Sequence, residues 1–360
     1  MSIRTFFILI KISRRSIKMR NEVILITGAN GEIGHGLIKQ LGKSGKANIV
    51  AIDLKPLDEC LFPFCERFIQ GDILDKILLG RLTSEYEITT IYHLASILST
   101  KAEYSPEIAH QINVEGTFNL LQLGMNLSQW QGKSVKFIYP SSIAVYGIPD
   151  LKQKENIQKI KENEYCNPIT MYGINKLYCE HLGRYFSLYY HQLSKDRPKN
   201  SIDFRSIRFP GLISADTFPT GGTSDYGPEM LHNAAQNKPY ECFVRSDTRI
   251  PFMVMPDAVK ALMLLEKAKR ESLSQLIYNV TSFSPTALDI CEIVKAGYPK
   301  AEIVFEVSQN RQRIIDSWPA DVDDTPARTD WGWNPEYDLT KSFQDYLLPA
   351  IKVRYSSNKF

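Results

Sequence analysis

The chain has 360 residues, 43 Lys and Arg against 40 Asp and Glu, a formal charge of +3, and 43% hydrophobic and 23% charged residues. That length suffices for one large or two intimately joined domains of ordinary globular composition. So small a net charge argues for neither nucleic acid nor an anionic membrane surface, and neither is expected as a partner.

Residues 1–20 carry Arg4, Lys11, Arg14, Arg15, Lys18 and Arg20, with no acid before Glu22. The apolar piece at 6–10 is too short to span a membrane and is broken by Lys11. Two readings stand for this basic extension. It is either an organellar presequence, which would place the protein in the mitochondrial matrix, or an upstream extension of a chain starting at Met19, which would leave it in the cytoplasm. Both put it outside the fold. Six cysteines without a CxxC pair suggest free thiols in a reducing compartment. The six histidines show no ligand spacing, and no metal is expected.

Residues 23–26, Val-Ile-Leu-Ile, predict a buried parallel strand that Thr27 and Gly28 end sharply. Ile33, Leu37, Ile38 and Leu41 then share one face of a helix stopped at Gly42 and Gly45. Gly28, Gly31 and Gly34 stand three apart at the turn, where a missing Cβ lets the backbone approach a ligand and lets helix and strand pack closely. Free N–H groups and the positive end of the helix dipole favour an anion there by roughly 0.3–1 kcal/mol. A pyrophosphate fits, with Asn30, Glu32 and Ile33 as further candidate contacts.

Residues 48–52 form the next strand, ending in Asp53 nineteen residues past Gly34. A carboxylate at that place accepts hydrogen bonds from both hydroxyls of an adenine ribose and repels a 2′-phosphate, so the expected cofactor is NAD, with Leu54 beside it. Asp72 closes a short strand at the edge of the adenine site, next to Ile73; its structural alternative is the N-cap of a helix over 73–79. Residues 89–94 are a strand whose end, Leu94, Ala95 and Ser96, neighbours the dinucleotide, and Ser99 reaches further, to substrate. Residues 108–125 predict a helix with Ile112, Phe118, Leu121 and Leu123 in the core and Asn113 solvated. After a strand at 135–139 come Ser141 and Ser142, two hydroxyls where an open α/β sheet places catalytic groups. Residues 151–165, rich in Lys and Glu, read as a solvated excursion.

Tyr172 and Lys176 open a long helix through Tyr190 and lie four apart, on one face. An ammonium beside a phenol stabilises the phenolate in a poorly hydrated cleft, so Tyr172 can act as a general base toward an alcohol. Strands at 202–207 and 276–280 complete the predicted fold. It is α/β, a Rossmann doubly wound parallel sheet at 21–210 with those later strands, and a smaller C-terminal substrate lobe built from 211–255 and 281–350. Trp331 and Trp333 pack as a structural closing turn.

The order of glycine turn, Asp53, Ser141-Ser142 and Tyr172-x-x-x-Lys176 resembles the extended short-chain dehydrogenase/reductase superfamily over almost the whole chain. Residues 208–214, 221–226, 247–253, 255–258 and 316–319 narrow this to its NAD-dependent L-threonine 3-dehydrogenases. That resemblance implies oxidation of L-threonine to 2-amino-3-oxobutyrate, with hydride passing to NAD. Tyr172 would take the hydroxyl proton and Lys176 would hold the nicotinamide ribose. Ser142, or in second place Ser141, would bind the substrate oxygen. Ser99, Gly211, Thr223 and Trp318 would line the substrate pocket and Leu212 the cofactor. The resemblance also implies a homodimer joined through the helices at 108–125 and 170–190. The excursion at 151–165 and the loop at 194–201 are longer than the family needs, and Ser224 stands where a second Thr is usual. The rival readings are a nucleotide-sugar epimerase or dehydratase, which usually carries an Asn where this chain has Pro210-Gly211 and a Gly in place of Thr281, and a non-catalytic NAD-binding regulator, which generally loses the tyrosine or lysine.

Overall fold

The computed structural model describes residues 21–356 apart from 46, 47, 197, 199 and 220, so the expectations for the basic extension lie outside the described residues. In chain order the strands are β1 (Glu22–Thr27), β2 (Ile49–Asp53), β3 (Arg67–Gln70), β4 (Glu87–His93), β5 (Lys136–Ser142), β6 (Asp203–Phe209), β7 (Gly211–Ile213), β8 (Tyr240–Cys242), β9 (Phe252–Val254), β10 (Ile277–Asn279) and β11 (Ile303–Phe305). Seven of them form one sheet in the order β10-β6-β5-β4-β1-β2-β3, with every neighbouring pair parallel. The order reverses direction between β1 and β4, and ligands of such sheets sit at that crevice.

A parallel sheet must be covered on both faces, and the continuous apolar run of β1 supplies both. Ile26 packs with Leu37, Ile38 and Leu41 of the helix Glu32–Lys43 and with Leu262 of the helix Met255–Lys267. Val23 and Leu25 face the opposite layer, with Leu82, Leu121 and Cys179 from the helices Lys76–Glu85, Gly116–Gln131 and Met171–Arg184. Buried Arg205 of β6 pairs with Asp203 and donates to the carbonyls of Leu265, Glu266 and Ala268. It thereby caps the carboxyl end of the helix Met255–Lys267, where a cation suits the dipole.

A second core joins Ile213, Tyr226, Met230, Phe252, Ile290, Ile315 and Phe343, with the parallel pairs β7–β9 and β8–β11 beside it. Trp331 and Trp333 are buried, and the Trp333 indole donates to Asp324. The sheet and the packed C-terminal portion agree with the predicted doubly wound α/β class. No helix among the described residues is long and apolar enough to cross a membrane.

Five expectations are corrected or refined. The helix expected at 108–125 starts at Pro106, widens into a π-turn over Gln111–Glu115 and ends at Gln131 before left-handed Gly132. Phe118 on it is 39% exposed rather than core, its ring edge-on to Phe186. Asn113 is buried rather than solvated, because the π-turn points it at the backbone of Ile97. Asp72 is not the cap of the next helix: Asp75 accepts from the N–H groups of Ile77 and Leu78, and Asp72 closes a tight turn onto Leu74 N–H. The excursion at 151–165 is largely solvated, as expected, with Lys152, Glu155, Lys159 and Lys161 exposed, but it is pinned to the fold at three points. Ile160 is fully buried in a parallel bridge to Val322, Lys154 is buried with its ammonium on the Ile315 carbonyl, and Glu162 accepts from Asn279 N–H. These anchors carry no local signal because their partners lie more than a hundred residues away.

Candidate active site

Two cavities meet at the glycine turn. One, of about 260 Å³, runs from Gly28 and Gly31 past Asp53, Leu54, Asp72 and Ile73 to Leu94, Ala95 and Ser96. The other, of about 240 Å³, shares Gly28, Gly31, Leu94 and Ser96 and adds Glu32, Ile33 and Gly34 on one wall. Its far side is Ser99, Ser142, Tyr172, Lys176, Gly211, Leu212 and Trp318. A cleft with two chambers joined at a phosphate-sized turn has the form of a dinucleotide site.

The turn tests that fit directly. Gly28 has φ of +71°, and a Cβ there would stand 2.5 Å from the Ala95 nitrogen. A Cβ on Gly34 would strike the Ala29 carbonyl, so this residue lets the helix dock on the strand. Gly31 caps the helix without a side-chain hydrogen bond, which leaves first-turn N–H groups facing the cleft. Asp53 is aimed by the N–H groups of Asn30 and Lys55, at 2.9 and 3.1 Å. Asn30 itself is turned away: its side chain clips Lys55, Pro56 and Asp58, and it acts on the site through the backbone.

The second chamber is built by one helix end and one strand end. Thr170 caps the helix Met171–Arg184 by accepting from Gly173 N–H. A Cβ on Gly173 would collide with the Ala144 carbonyl, so the helix start lies directly against the turn that follows Ser142. Tyr172 and Lys176 thereby project one turn apart into the cavity. The Lys176 ammonium donates to the Pro140 carbonyl at 2.7 Å and stands 5.5 Å from the Tyr172 ring centre and 4.6 Å from that of Tyr139.

Burial lowers the Lys176 pKa to about 8, opposed by the nearby Cys179 and Glu180. Burial also holds the Tyr172 phenol above its ordinary value, and the hydrogen bond with Ser142 pulls it back down. The Ser142 oxygen accepts from Ala144 N–H, which leaves its own proton to point at the phenol or at a bound alcohol. Such a trio can remove a proton from an alcohol or return one to a carbonyl.

Ser141 borders the cavity, but its hydroxyl donates to Glu180 at 2.5 Å. Of the two serines, Ser142 is the one on Tyr172. Thr223 and Ser99 are both buried and bond each other at 3.1 Å, which ties the loop at 221–225 to the segment after β4. Arg311 secures the same loop from the other side, donating to the Gly221 and Gly222 carbonyls. Glu32 is raised to about 7, chiefly by burial and next by Asp225 across the cleft.

Several groups that shape the site carry no local sequence signal. His93 is buried between Thr27 and Thr117, 2.9 Å from each, and burial drops its pKa to about 3. Thr117 gives its proton to the Asn113 carbonyl, so neutral His93 donates from Nε2 and accepts at Nδ1. Asn113 clips both the N–H and the carbonyl of Ile97, fixing the loop that carries Ser96 and Ser99. Glu180 and Arg208 form a bidentate pair at 2.8 and 2.6 Å, with both side chains buried.

The family described as NAD dependent epimerase/dehydratase matches this chain over residues 24–281. The mitochondrial L-threonine 3-dehydrogenase of Bos taurus is 33% identical over 317 residues, covering 88% of this chain and 79% of its own. A monomeric L-threonine 3-dehydrogenase from a metagenome superposes with a TM-score of 0.79 at 34% identity, covering 92% of this chain and 99% of the other. The UDP-glucose 4-epimerase of Thermotoga maritima superposes with a TM-score of 0.74 at 20% identity, covering 94% and 100%, a likeness of fold.

Proposed function

The chain belongs to the NAD dependent epimerase/dehydratase family, and we propose that within it this protein oxidises L-threonine to 2-amino-3-oxobutyrate with NAD as the acceptor. The observation that carries the reading is the charge of the second chamber. Its lining residues include one ammonium, Lys176, engaged with Pro140, and the acids Asp225 and Glu32, the latter raised to about 7 by burial and so ionised only in part at neutral pH. Those acids and the hydroxyls of Ser99 and Ser142 suit a small alcohol bearing an ammonium. The diphosphate of a nucleotide sugar would meet no cation other than Lys176 among the described lining residues.

NAD supplies the hydride acceptor when bound. The first-turn N–H groups between Gly31 and Gly34 would hold its pyrophosphate, Asp53 its adenine ribose, and Lys176 its second ribose. Tyr172, as phenolate, accepts the threonine hydroxyl proton. Lys176, kept in place by Pro140, stabilises that phenolate, and Ser142 orients the hydroxyl oxygen. Gly211, Leu212 and Trp318 close the chamber against water, and the portions at 211–255 and 281–350 would serve as the substrate lobe. Asp53 is the reason for choosing NAD over NADP, since a 2′-phosphate would be pressed against its carboxylate.

The test is to mix purified protein with NAD and L-threonine and follow NADH absorbance. Appearance of NADH supports the reading. Silence with threonine, together with turnover of a nucleotide sugar, overturns it in favour of an epimerase or dehydratase; silence with both leaves a regulator. A homodimer is also proposed: Ile108, Phe118, Ile174 and Tyr178 expose large apolar side chains on the two helices assigned to it. Sedimentation equilibrium at twice the chain mass is the expected result, and a single-chain mass refutes it.

A further inference from the structure

Beneath the reacting groups, Ser141, Glu180 and Arg208 form a buried polar bridge that the mechanism above does not use. Each is at most 3% exposed. Ser141 donates to Glu180 Oε1, Arg208 Nε donates to the same oxygen at 2.8 Å, and its Nη2 donates to Glu180 Oε2 at 2.6 Å. The remaining Arg208 nitrogen donates to the Tyr146 hydroxyl and the Glu162 carbonyl. Glu180 lies one helical turn beyond Lys176, and Ser141 is the residue between Pro140 and Ser142.

The end of β5 is therefore fastened to the helix at two successive turns. Lys176 grips the Pro140 carbonyl, and Glu180 grips the next side chain. Alternation along a strand sends Ser141 and Ser142 to opposite sides, so fixing one fixes the direction of the other. We propose that Glu180 and Arg208 are positioning residues for the dehydrogenation, acting through Ser141 to hold Ser142 against the Tyr172 phenol. A buried ion pair is poor evidence of stabilisation in its own right, because its desolvation offsets much of its attraction. What the pair supplies here is geometry instead. The proposal rests on the reading above for what is turned over.

Two variants test it. Ser141→Ala cuts the bridge at its last link, and the double variant Glu180→Met with Arg208→Met replaces the ions by apolar groups of similar length, an exchange that often leaves stability unchanged or raised. Both are expected to lower kcat by about 10-fold and to move the acidic limb of the kcat–pH profile upward by about half a unit, since a loosened Ser142 relieves the phenol less. NADH affinity and the threonine KM should stay within about twofold, and combining the variants should add no further loss, as expected for one coupled unit. The proposal falls if the double variant keeps the wild-type kcat and profile, or if Ser141→Ala acts on the threonine KM alone. If wild type leaves threonine untouched, the functional reading fails and the bridge is still read by ultraviolet titration of the Tyr172 phenolate against Tyr172→Phe. There, an unmoved phenol in Ser141→Ala overturns the bridge.

Discussion

Tyr172→Phe removes one oxygen from a wall otherwise left in place, because the ring keeps its contact with the Lys176 ammonium. General-base removal costs about 10²–10⁴-fold in rate, so kcat should fall within that range while NADH affinity, measured by fluorescence, stays near wild type. Loss of NADH binding would instead make the residue a structural one. Asp53→Ala should act in the opposite way. It discards a carboxylate whose oxygens are aimed by two backbone N–H groups, so NAD should bind more weakly and NADP should be discriminated against less. Steady-state KM values for the two cofactors check this, and an unchanged ratio would remove Asp53 from the ribose.

At the scale of elements, the parts written as local patterns were legible. The glycine turn, the apolar runs of the sheet and the four-residue step from Tyr172 to Lys176 each require only their own neighbours, and the structure brings them to one cleft. What could not be read depends on distant partners. Glu180 and Arg208 are an unremarkable acid and base until the fold places them within 3 Å of each other, and Asn113 turns inward because the helix is over-wide at its own position. Only the family resemblance ranks Ser142 ahead of Ser141 in sequence, and the physical ground for separating them is the partner each meets, Tyr172 for Ser142 and Glu180 for Ser141. Arg205 belongs to the same class: an arginine within an apolar strand becomes a cap for the helix Met255–Lys267. Arg205→Ala strands three carbonyls and leaves Asp203 with Arg270 alone, at 3.6 Å, so chemical unfolding should show a loss of about 3 kcal/mol, and a loss below about 1 kcal/mol would mean that water replaces the guanidinium.

For the molecule as a whole, the cleft is crossed by a pair of acids, Glu32 on the glycine-turn helix and Asp225 on the loop held by Ser99 and Arg311. The Glu32 carboxyl is raised from 4.5 to about 7 by burial first and by Asp225 second. A raised folded value means that the native state holds this proton more tightly than the unfolded chain. The contribution to stability is present in full below about 4.5 and is lost as pH rises through about 7. An anionic dinucleotide entering beside Glu32 favours the protonated form further. NAD affinity should therefore weaken between about pH 6 and pH 8, calorimetry in buffers of different ionisation heat should register proton uptake, and Glu32→Gln should flatten both. A wild-type affinity constant across that interval would refute the linkage.

The chain leaves the sheet for the second core at one step, with β6 ending at Phe209, β7 starting at Gly211 and Pro210 alone between them. Proline fixes φ there, and the phenyl ring of Phe252 occupies the space a Cβ on Gly211 would need. Both residues also form part of the chamber wall. One seam between the two halves is thus a surface that an occupant touches, so whatever fills the chamber bears directly on the joint behind it.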